Sequence, residues 1–367
     1  MREGWEYKKL DSCAYIEYGT RVVQKKDGGT IYPVYGGGGE TFRIDRFNRE
    51  DCLIVARFAM SPLCVRYVKG KFFLNDSGLS VKAGKELYQS YLNHYIKSLN
   101  EKIYDLGKGA AQRNLDIKSF KKLQIGIPPK STQLAIVSEL DKINELIRLK
   151  KEQLKDLDKL AQSIFYEMFG DPVVNEMGWE VKKLGEVCNV GTGSTPNRKN
   201  KDFYENGIYP WVKSTEVCNL PIYSVEEYIT QEALDKTNCN LYPQNTILMA
   251  MYGQGKTRGQ IGLLKIEACT NQAVAAIVPT KEVVDENYIC LHLMLMYEHI
   301  RNMARGGNQA NLNLSIVKSI QIILPPLPLQ RLFAHRIEQI EHQRAEVQKA
   351  IADLETLLAS RMQYWFE

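Results

Sequence analysis

GAAQRNLDIKSFKKLQIGIPPKSTQL, residues 109–134, is written a second time as GGNQANLNLSIVKSIQIILPPLPLQR at residues 306–331, in register at a fixed offset of 197. Gln112 falls on Gln309, Asn114 on Asn311, Leu115 on Leu312, Lys121 on Lys318 and Gln124 on Gln321. Pro128 and Pro129 fall on Pro325 and Pro326, and Gln133 on Gln330. Working outward, WEYKKL at 5–10 returns as WEVKKL at 179–184, at an offset of 174. The copies share a beginning and an end, and the second carries about two dozen more residues in its middle. Common frames around divergent interiors imply two related modules with two different ligands.

The segment after each Pro-Pro pair decides the architecture. Residues 131–169 contain no proline or glycine, and apolar residues recur at alternating steps of four and three. The seam runs Ile136, Leu140, Ile143, Ile147, Lys150, Leu154, Leu157, Ala161, Ile164, Met168. Moved by 197 it becomes Phe333, Ile337, Ile340, Arg344, Val347, Ile351, Leu354, Leu358, Arg361, Trp365. Both copies sustain a 3.5-residue repeat over about five heptads, the pattern of a left-handed coiled coil. Each helix, at about 39 residues, would be about 58 Å long. Gly170, Asp171 and Pro172 stop the first helix,. The second module then begins at once and feeds the second helix. Antiparallel helices allow it to leave and return at one place, whereas parallel helices do not. The polar seam residues Lys150, Arg344 and Arg361 are expected to lay their stems along the seam with their heads in water.

The expected fold is mixed α/β (α+β): two modules of mixed strands and short helices, separated by a long antiparallel two-helix coiled coil with pseudo-twofold internal symmetry. The boundaries are 1–130 for the first module, 131–170 for the first helix, 171–327 for the second module and 328–367 for the second helix. Apolar runs at 51–60, 245–253, 260–266 and 273–279, bounded by Gly, Asn and Pro, are read as strands, and 87–98 and 287–303 as helices,. A chain of 367 residues has room for two or three cores,. No apolar run is long enough to span a bilayer, and MREGWEYKKL has neither the apolar core nor the cleavage site of a signal peptide, so the expectation is a cytoplasmic protein with no membrane partner,. Eight cysteines with no CxxC pair give no zinc or redox motif,. The net charge of +5 is uneven, because residues 1–130 hold 23 basic and 14 acidic groups while 171–327 hold 14 and 16. A basic first module suits phosphate, although a solvated surface gives the same count.

The resemblance is carried by particular stretches. GTGSTPNRKNKDFYENGIYPWVKSTEV (191–217), ILMAMYGQGKTRGQIGLLKIEACTNQAVAAIVP (247–279), GGNQANL (306–312) and PPLPLQ resemble the target-recognition domain and following conserved region of the DNA specificity subunit of Type I restriction-modification enzymes. IYPVYGGGGE (31–40), DCLIVAR (51–57) and GAAQRNL (109–115) resemble the same elements in the other half. Order, spacing and duplication agree over nearly the whole chain. The resemblance implies a non-catalytic subunit that binds double-stranded DNA with a bipartite target, one half per target-recognition domain. It implies that the coil sets the spacer and docks two methyltransferase subunits, with restriction/translocase subunits as further partners. No cofactor is expected on this chain, since S-adenosylmethionine, ATP and Mg2+ belong to the partner subunits. Two half-sites met by one rigid protein must lie at a fixed separation, and a rod of about 58 Å corresponds to about 17 base pairs. The alternatives are a self-contained DNA modification enzyme with an unrecognised site, and a protein-binding coiled-coil adaptor.

Candidate DNA contacts in the first module are Lys25, Lys26, Tyr35, Gly36, Gly37, Gly38, Arg43, Arg46 and Arg57, because glycine lets backbone approach a groove and arginine reaches phosphate or guanine. In the second they are Ser194, Thr195, Asn197, Arg198, Lys199, Lys213, Ser214, Thr215, Tyr252, Gln254, Lys256, Thr257 and Arg258. GSTPNRKNK can equally be a structural turn with a basic loop, and GQGKTRG, following an apolar strand, is the better placed of the two. Gly255-Lys256-Thr257 ends like a Walker A loop, but the leading glycine is replaced by Ala250,. No Asp/Asn-Pro-Pro-Tyr motif of adenine methyltransferases occurs. His292, His299, His335 and His342 lack a companion carboxylate pattern and are read as packing or surface residues, with no metal site. Gln112, Asn114, Gln309 and Asn311 are read as satisfying backbone hydrogen bonds where the loop enters each helix, with DNA or partner contact at the junction of module and coil as the alternative.

Overall fold

The two echoes that frame each copy are hydrogen-bonded to one another. In the computed structural model, which describes residues 2–109, 112–253, 255–304 and 311–367, strand Glu6–Lys9 pairs antiparallel with Gln124–Ile127. Strand Val181–Lys183 pairs in the same way with Gln321–Ile323. Each ribbon therefore ties the start of a module to the segment that enters its long helix. The chain divides into two compact units, Met1–Lys151 with Gln348–Glu367, and Glu152–Val347.

The first unit is built on a six-stranded sheet in the order Ala14–Tyr18, Gly78–Ala83, Arg49–Ala56, Val65–Leu74, Tyr32–Gly36, Gly39–Ile44. Leu53, Ile54, Val55 and Ala56 are all buried, which is why this stretch is a continuous apolar run and not an alternating one,. Helix Gln89–Ser98, followed by Asn100–Asp105, packs Tyr91, Leu92 and Ile96 into the same core as Leu53, Val55, Leu79 and Val81. Val65–Leu74 is a strand that its apolar content does not announce. It carries Arg66, Lys69, Gly70 and Lys71 through exposed or half-buried positions.

The second unit holds a five-stranded sheet in the order Cys188–Thr192, Val274–Pro279, Ile247–Ala250, Ile261–Leu264, Pro221–Ile222. A three-stranded sheet, Tyr228–Ile229, Tyr209–Val212, Cys269–Thr270, stands beside it around Trp211. Helices Glu286–Leu295 and Tyr297–Met303 take the place that Gln89–Ser98 and Asn100–Asp105 hold in the first unit.

The long helices run Lys130–Phe169 and Leu327–Phe366, forty residues each, or about 60 Å. Within the first unit, Arg361 of the second helix reaches Glu139 of the first, and Lys151 reaches Glu355 at 2.7 Å. Within the second unit, Arg344 lies 3.3 Å from Asp158, and the Phe165 and Phe333 rings are 5.6 Å apart. Rising numbers on one helix meet falling numbers on the other in both units, so the coiled coil is antiparallel. Mixed α/β modules on an antiparallel two-helix coil are the fold class expected from the sequence.

The seam departs from strict heptads at its C-terminal ends. Ile136, Leu140, Ile143, Ile147 and Leu157 are buried, as are Phe333, Ile337, Ile340, Val347 and Ile351. Leu154, Ala161, Leu354 and Leu358 are half-buried. Ile164, Met168 and Trp365 are only half-buried, and Phe165, Phe169 and Phe366 take the buried positions instead. An α-helix of 3.6 residues per turn drifts about 20° per heptad against a 3.5-residue pattern, and one residue of drift accumulates over five heptads. Arg344 and Arg361 also correct the snorkelling expectation. Their guanidinium groups pair across the coil with Asp158 and Glu139, and Trp365 Nε1 donates to Glu139 Oε2 at 2.9 Å.

The Pro-Pro-x-x-x-Gln element has a physical reason. Gln133 is fully buried in the first turn of its helix, where Nε2 donates to Glu86 O and Pro128 O and Oε1 accepts from Tyr88 N. Gln330 makes the same set with Val283 O, Pro325 O and Asp285 N. Tyr91 and Tyr288, again 197 apart, donate to Gly126 O and Ile323 O of the two ribbons at 2.7 and 2.8 Å. Each ring packs edge-on against the last aromatic residue of a long helix, Tyr91 on Phe366 and Tyr288 on Phe169.

Candidate nucleic-acid interface

Each module ends its central sheet in a cluster of loops held by the same bonds. Leu115 N donates to Arg57 O at 2.9 Å, and Leu312 N to Met251 O at 3.1 Å. Arg57 N donates to Ser77 O and Met251 N to Ala273 O, both at 2.8 Å. Asn75 N reaches Tyr35 O at 2.9 Å, and Asn271 N reaches Val212 O at 3.0 Å. A Cβ on Gly19 or on Gly193 would lie 1.8 Å from a carbonyl oxygen, of Asn75 and Thr270 respectively, so only glycine lets the neighbouring segment pass,. These two glycines stand 174 apart, the offset of the opening echo.

In the first module the candidates fall into two groups. Tyr35, Gly36, Gly37 and Arg57 meet at the sheet end. Gly37 N donates to Ser77 Oγ at 3.1 Å, and side chains on Gly36 or Gly37 would strike Ser77 Oγ or Phe58 O. Gly38 is exposed with open space around it. The Arg57 guanidinium lies over the Tyr18 and Phe58 rings, 5.1 and 4.4 Å from their centroids. Tyr35 itself packs edge-on against Phe72. Lys25, Lys26, Arg43 and Arg46 form a second group around the turn after helix Gln24–Asp27. Lys25 and Lys26 are exposed. Arg43 donates to Ile31 O and sits 3.5 Å from Glu40, and Arg46 is 3.0 Å from Asp27. The Val23 amide, and then Arg46, hold the Asp27 carboxyl below its ordinary range.

In the second module several candidate cations are already paired. Arg198 and Lys213 share Glu227, and Lys213 also takes Glu226 at 2.7 Å. Glu226 first, then Glu227, hold the Lys213 ammonium above the usual lysine range, and Glu227 does the same for Arg198. Arg198 stacks on Tyr204 and Trp211, 4.7 and 4.8 Å from their centroids. Ser194 is engaged through its backbone with Thr270 and Trp211, and Asn197 Oδ1 accepts from Lys199 N, which makes this stretch a structured turn. Lys199 is exposed at its tip. Ser214 and Thr215 lie in the 3-10 turn Ser214–Glu216, and Thr195 Oγ1 donates to Gln272 Oε1.

The loop 252–258 differs. Tyr252 and Lys256 are exposed, Thr257 and Arg258 are half-buried, and Gln254 lies outside the described residues, as does Gln309. Tyr297 and Arg301 hold this loop by its backbone, donating to Lys256 O and Arg258 O at 2.6 and 3.1 Å. Among the described residues no carboxylate pairs with Lys256 or Arg258, and Arg258 Nε is sealed from solvent with no partner. Among the described residues, the side-chain donors of Lys256 and Arg258, like that of exposed Lys199, remain uncommitted.

Sequence reasoning passed over Tyr18, Phe58, Arg66, Asn75, Asp76, Ser77 and Gln272. Arg66 Nη1 donates to Gly37 O at 2.9 Å, locking the glycine turn. The signal was present, because Asn75 and Asn271 stand 196 apart, one residue from the main repeat. Asn114 Oδ1 accepts from Ala59 N at 3.3 Å, a structural bond at the joint. His292 is sealed in the core, where burial pushes its pKa down to about 3, while His299, His335 and His342 are exposed. Among the described residues no group of three His, Cys, Asp or Glu side chains is placed to hold a metal.

The family model for the Type I restriction modification DNA specificity domain matches residues 2–159 and 176–356, one match for each copy of the repeat. The chain belongs to this family. Among its relatives in the specificity-domain family, the Type I restriction enzyme MjaIX specificity subunit of Methanocaldococcus jannaschii is 23% identical over 278 residues, covering 71% of this chain and 64% of the relative. The EcoR124I/EcoR124II specificity subunit of Escherichia coli is 23% identical over 316 residues, covering 84% and 77%. The crystal structure of the Type I restriction-modification S subunit from M. genitalium superposes with a TM-score of 0.60 at 18% identity over 99% of this chain and 96% of that one, which establishes a shared fold. No helix among the described residues is long and apolar enough to cross a membrane.

Proposed function

We propose that this chain is the sequence-reading subunit of a Type I restriction-modification enzyme. Each module binds one half of a bipartite target in double-stranded DNA. The paired helices set the spacing between the halves and dock two methyltransferase subunits, to which restriction/translocase subunits add. Chemistry belongs to those partners, which carry S-adenosylmethionine, ATP and Mg2+. The observation that carries the reading is the matched set of loop-holding bonds in the two modules, around loops of different side-chain chemistry. A shared scaffold with unlike loops is what two unlike half-sites require, and a family of DNA specificity domains supplies the ligand class,.

The test is to express the chain with its methyltransferase partner and map methylated positions genome-wide. One motif of two short halves around an unread gap is expected. Deleting seven residues from each long helix should change the gap and leave both halves intact. Methyl transfer by the chain alone would overturn the reading in favour of a self-contained enzyme. Complexes that form without any sequence preference would leave only an adaptor.

A further inference from the structure

We propose that Asp76 and Gln272 are equivalent base-reading residues, Asp76 accepting from the amino group of a cytosine in one half-site and Gln272 pairing with an adenine in the other. This assignment rests on the DNA-reading function proposed above.

The equivalence is fixed by backbone bonds. Asn75 and Asn271 each close a turn with the side chain, Oδ1 accepting from Ser77 N at 2.9 Å and from Ala273 N at 3.0 Å. The amides of these asparagines are tied to Tyr35 O and Val212 O, and the residues after the turns accept from Arg57 N and Met251 N. Asp76 and Gln272 are the middle residues of these two turns. Their backbones are held alike, and their side chains differ completely in hydrogen-bonding capacity.

That difference constrains what each can meet. Gln272 is exposed, and the Thr195 hydroxyl donates to its Oε1. This sets the orientation of the amide and leaves Nε2 as a donor with one lone pair of Oε1 open. A donor beside an acceptor matches N7 and the N6 amino group of adenine in the major groove. Asp76 is half-buried, and among the described residues no hydrogen bond or ion pair engages its carboxylate. A carboxylate is repelled by phosphate and has no proton for N7, so at a DNA surface the major-groove partner it suits is the N4 amino group of cytosine. Arg57, whose Nη1 lies 3.4 Å from Asp76 O and whose guanidinium rests over Tyr18 and Phe58, supplies a nearby positive charge that offsets the approach of a carboxylate to the duplex. At the corresponding place in the second module stands buried Met251, and the neutral Gln272 needs no such offset.

The experiment uses the full chain with its methyltransferase partner. Asp76→Gln and Gln272→Asp are made singly, the methylated motif is mapped, and binding to the wild-type duplex is measured across a salt series. Each variant should change the preferred base at one position of one half-site and leave the other half and the gap unchanged. Discrimination at that position should fall about tenfold or more, with the salt slope unchanged. Should Gln272→Asp fail to fold, Thr195→Val, which frees the amide, should weaken preference at the same base pair alone. An unaltered motif overturns the assignment. So does uniform weakening on all sequences with a shallower salt slope, which marks a phosphate contact. A wild-type complex with no bipartite motif would refute the proposed function itself, an outcome visible before any variant is made.

Discussion

Replacing Gln330 by alanine removes the plug that joins the second module to its long helix. Gln330 Nε2 serves Pro325 O at 2.8 Å and Val283 O at 3.4 Å, and Oε1 serves Asp285 N at 3.0 Å. Pro325 is buried and Val283 and Asp285 are half-buried, so water can replace the partner of the last two more readily than that of the first. A sealed carbonyl without a partner costs about 1–3 kcal/mol, and each of the two half-accessible groups about 0.5–1 kcal/mol, which together give about 2–5 kcal/mol. That is a large share of the roughly 5–15 kcal/mol by which a domain is stable. Urea unfolding of the full chain, with hydrogen exchange at the Asp285 amide as the local probe, should show the unit containing Glu152–Val347 opening first. Gln339→Ala, at an exposed position on the same helix, is the control and should shift stability by no more than about 0.5 kcal/mol,. A loss below about 1 kcal/mol for Gln330→Ala, with the Asp285 amide as protected as before, would refute the argument that this side chain satisfies what the Pro-Pro pair leaves open. Gln133→Ala, with bonds of 2.9–3.0 Å, should behave alike in the other unit.

Charge gives two more expected outcomes. Arg361, and after it Trp365, hold the Glu139 carboxyl below its ordinary range, so this contact stabilises the native state above the unfolded pKa of about 4.3 and loses that contribution as pH falls through the lower folded value,. Thermal melts of the chain and of Glu139→Gln should therefore differ by a constant amount above about pH 5 and converge in more acidic buffer; a gap that persists unchanged into acid would rule out the linkage. Replacing Lys256 and Arg258 together by alanine should weaken DNA binding several-fold and reduce its salt slope by about one to two. Titrations at several salt concentrations check this, and an unchanged slope would remove the loop from the interface.

Much of the fold was legible because it is periodic or repeated. Nine apolar residues in ten seam positions can only be a buried helical stripe, and the turn at Gly170-Asp171-Pro172 leaves an antiparallel return as the economical path,. The register at the helix ends was not legible, since a run such as IFYEMF offers two adjacent apolar stripes. Tertiary packing chose Phe165 and Phe169 over Ile164 and Met168, because the larger rings fill the space beside Tyr288 and Phe333. The candidate site was legible as glycine-rich and cationic loops, but charge in a sequence carries no partner. Arg198 and Lys213 look as available on paper as Lys256 and Arg258, and they are distinguished only by Glu226 and Glu227, which the fold brings to them.

The duplication, the two frames and the long paired helices were thus determined by the chain alone, because period and repeat are properties of a string and the hydrophobic effect reads them directly. Which strand ends meet, which cations stay uncommitted, and the matching of Asp76 with Gln272 were decided by the tertiary structure. Those relations depend on contacts between separate stretches of the chain, backbone hydrogen bonds for the turns and the Glu226 and Glu227 carboxylates for the cations, and no local pattern encodes them,.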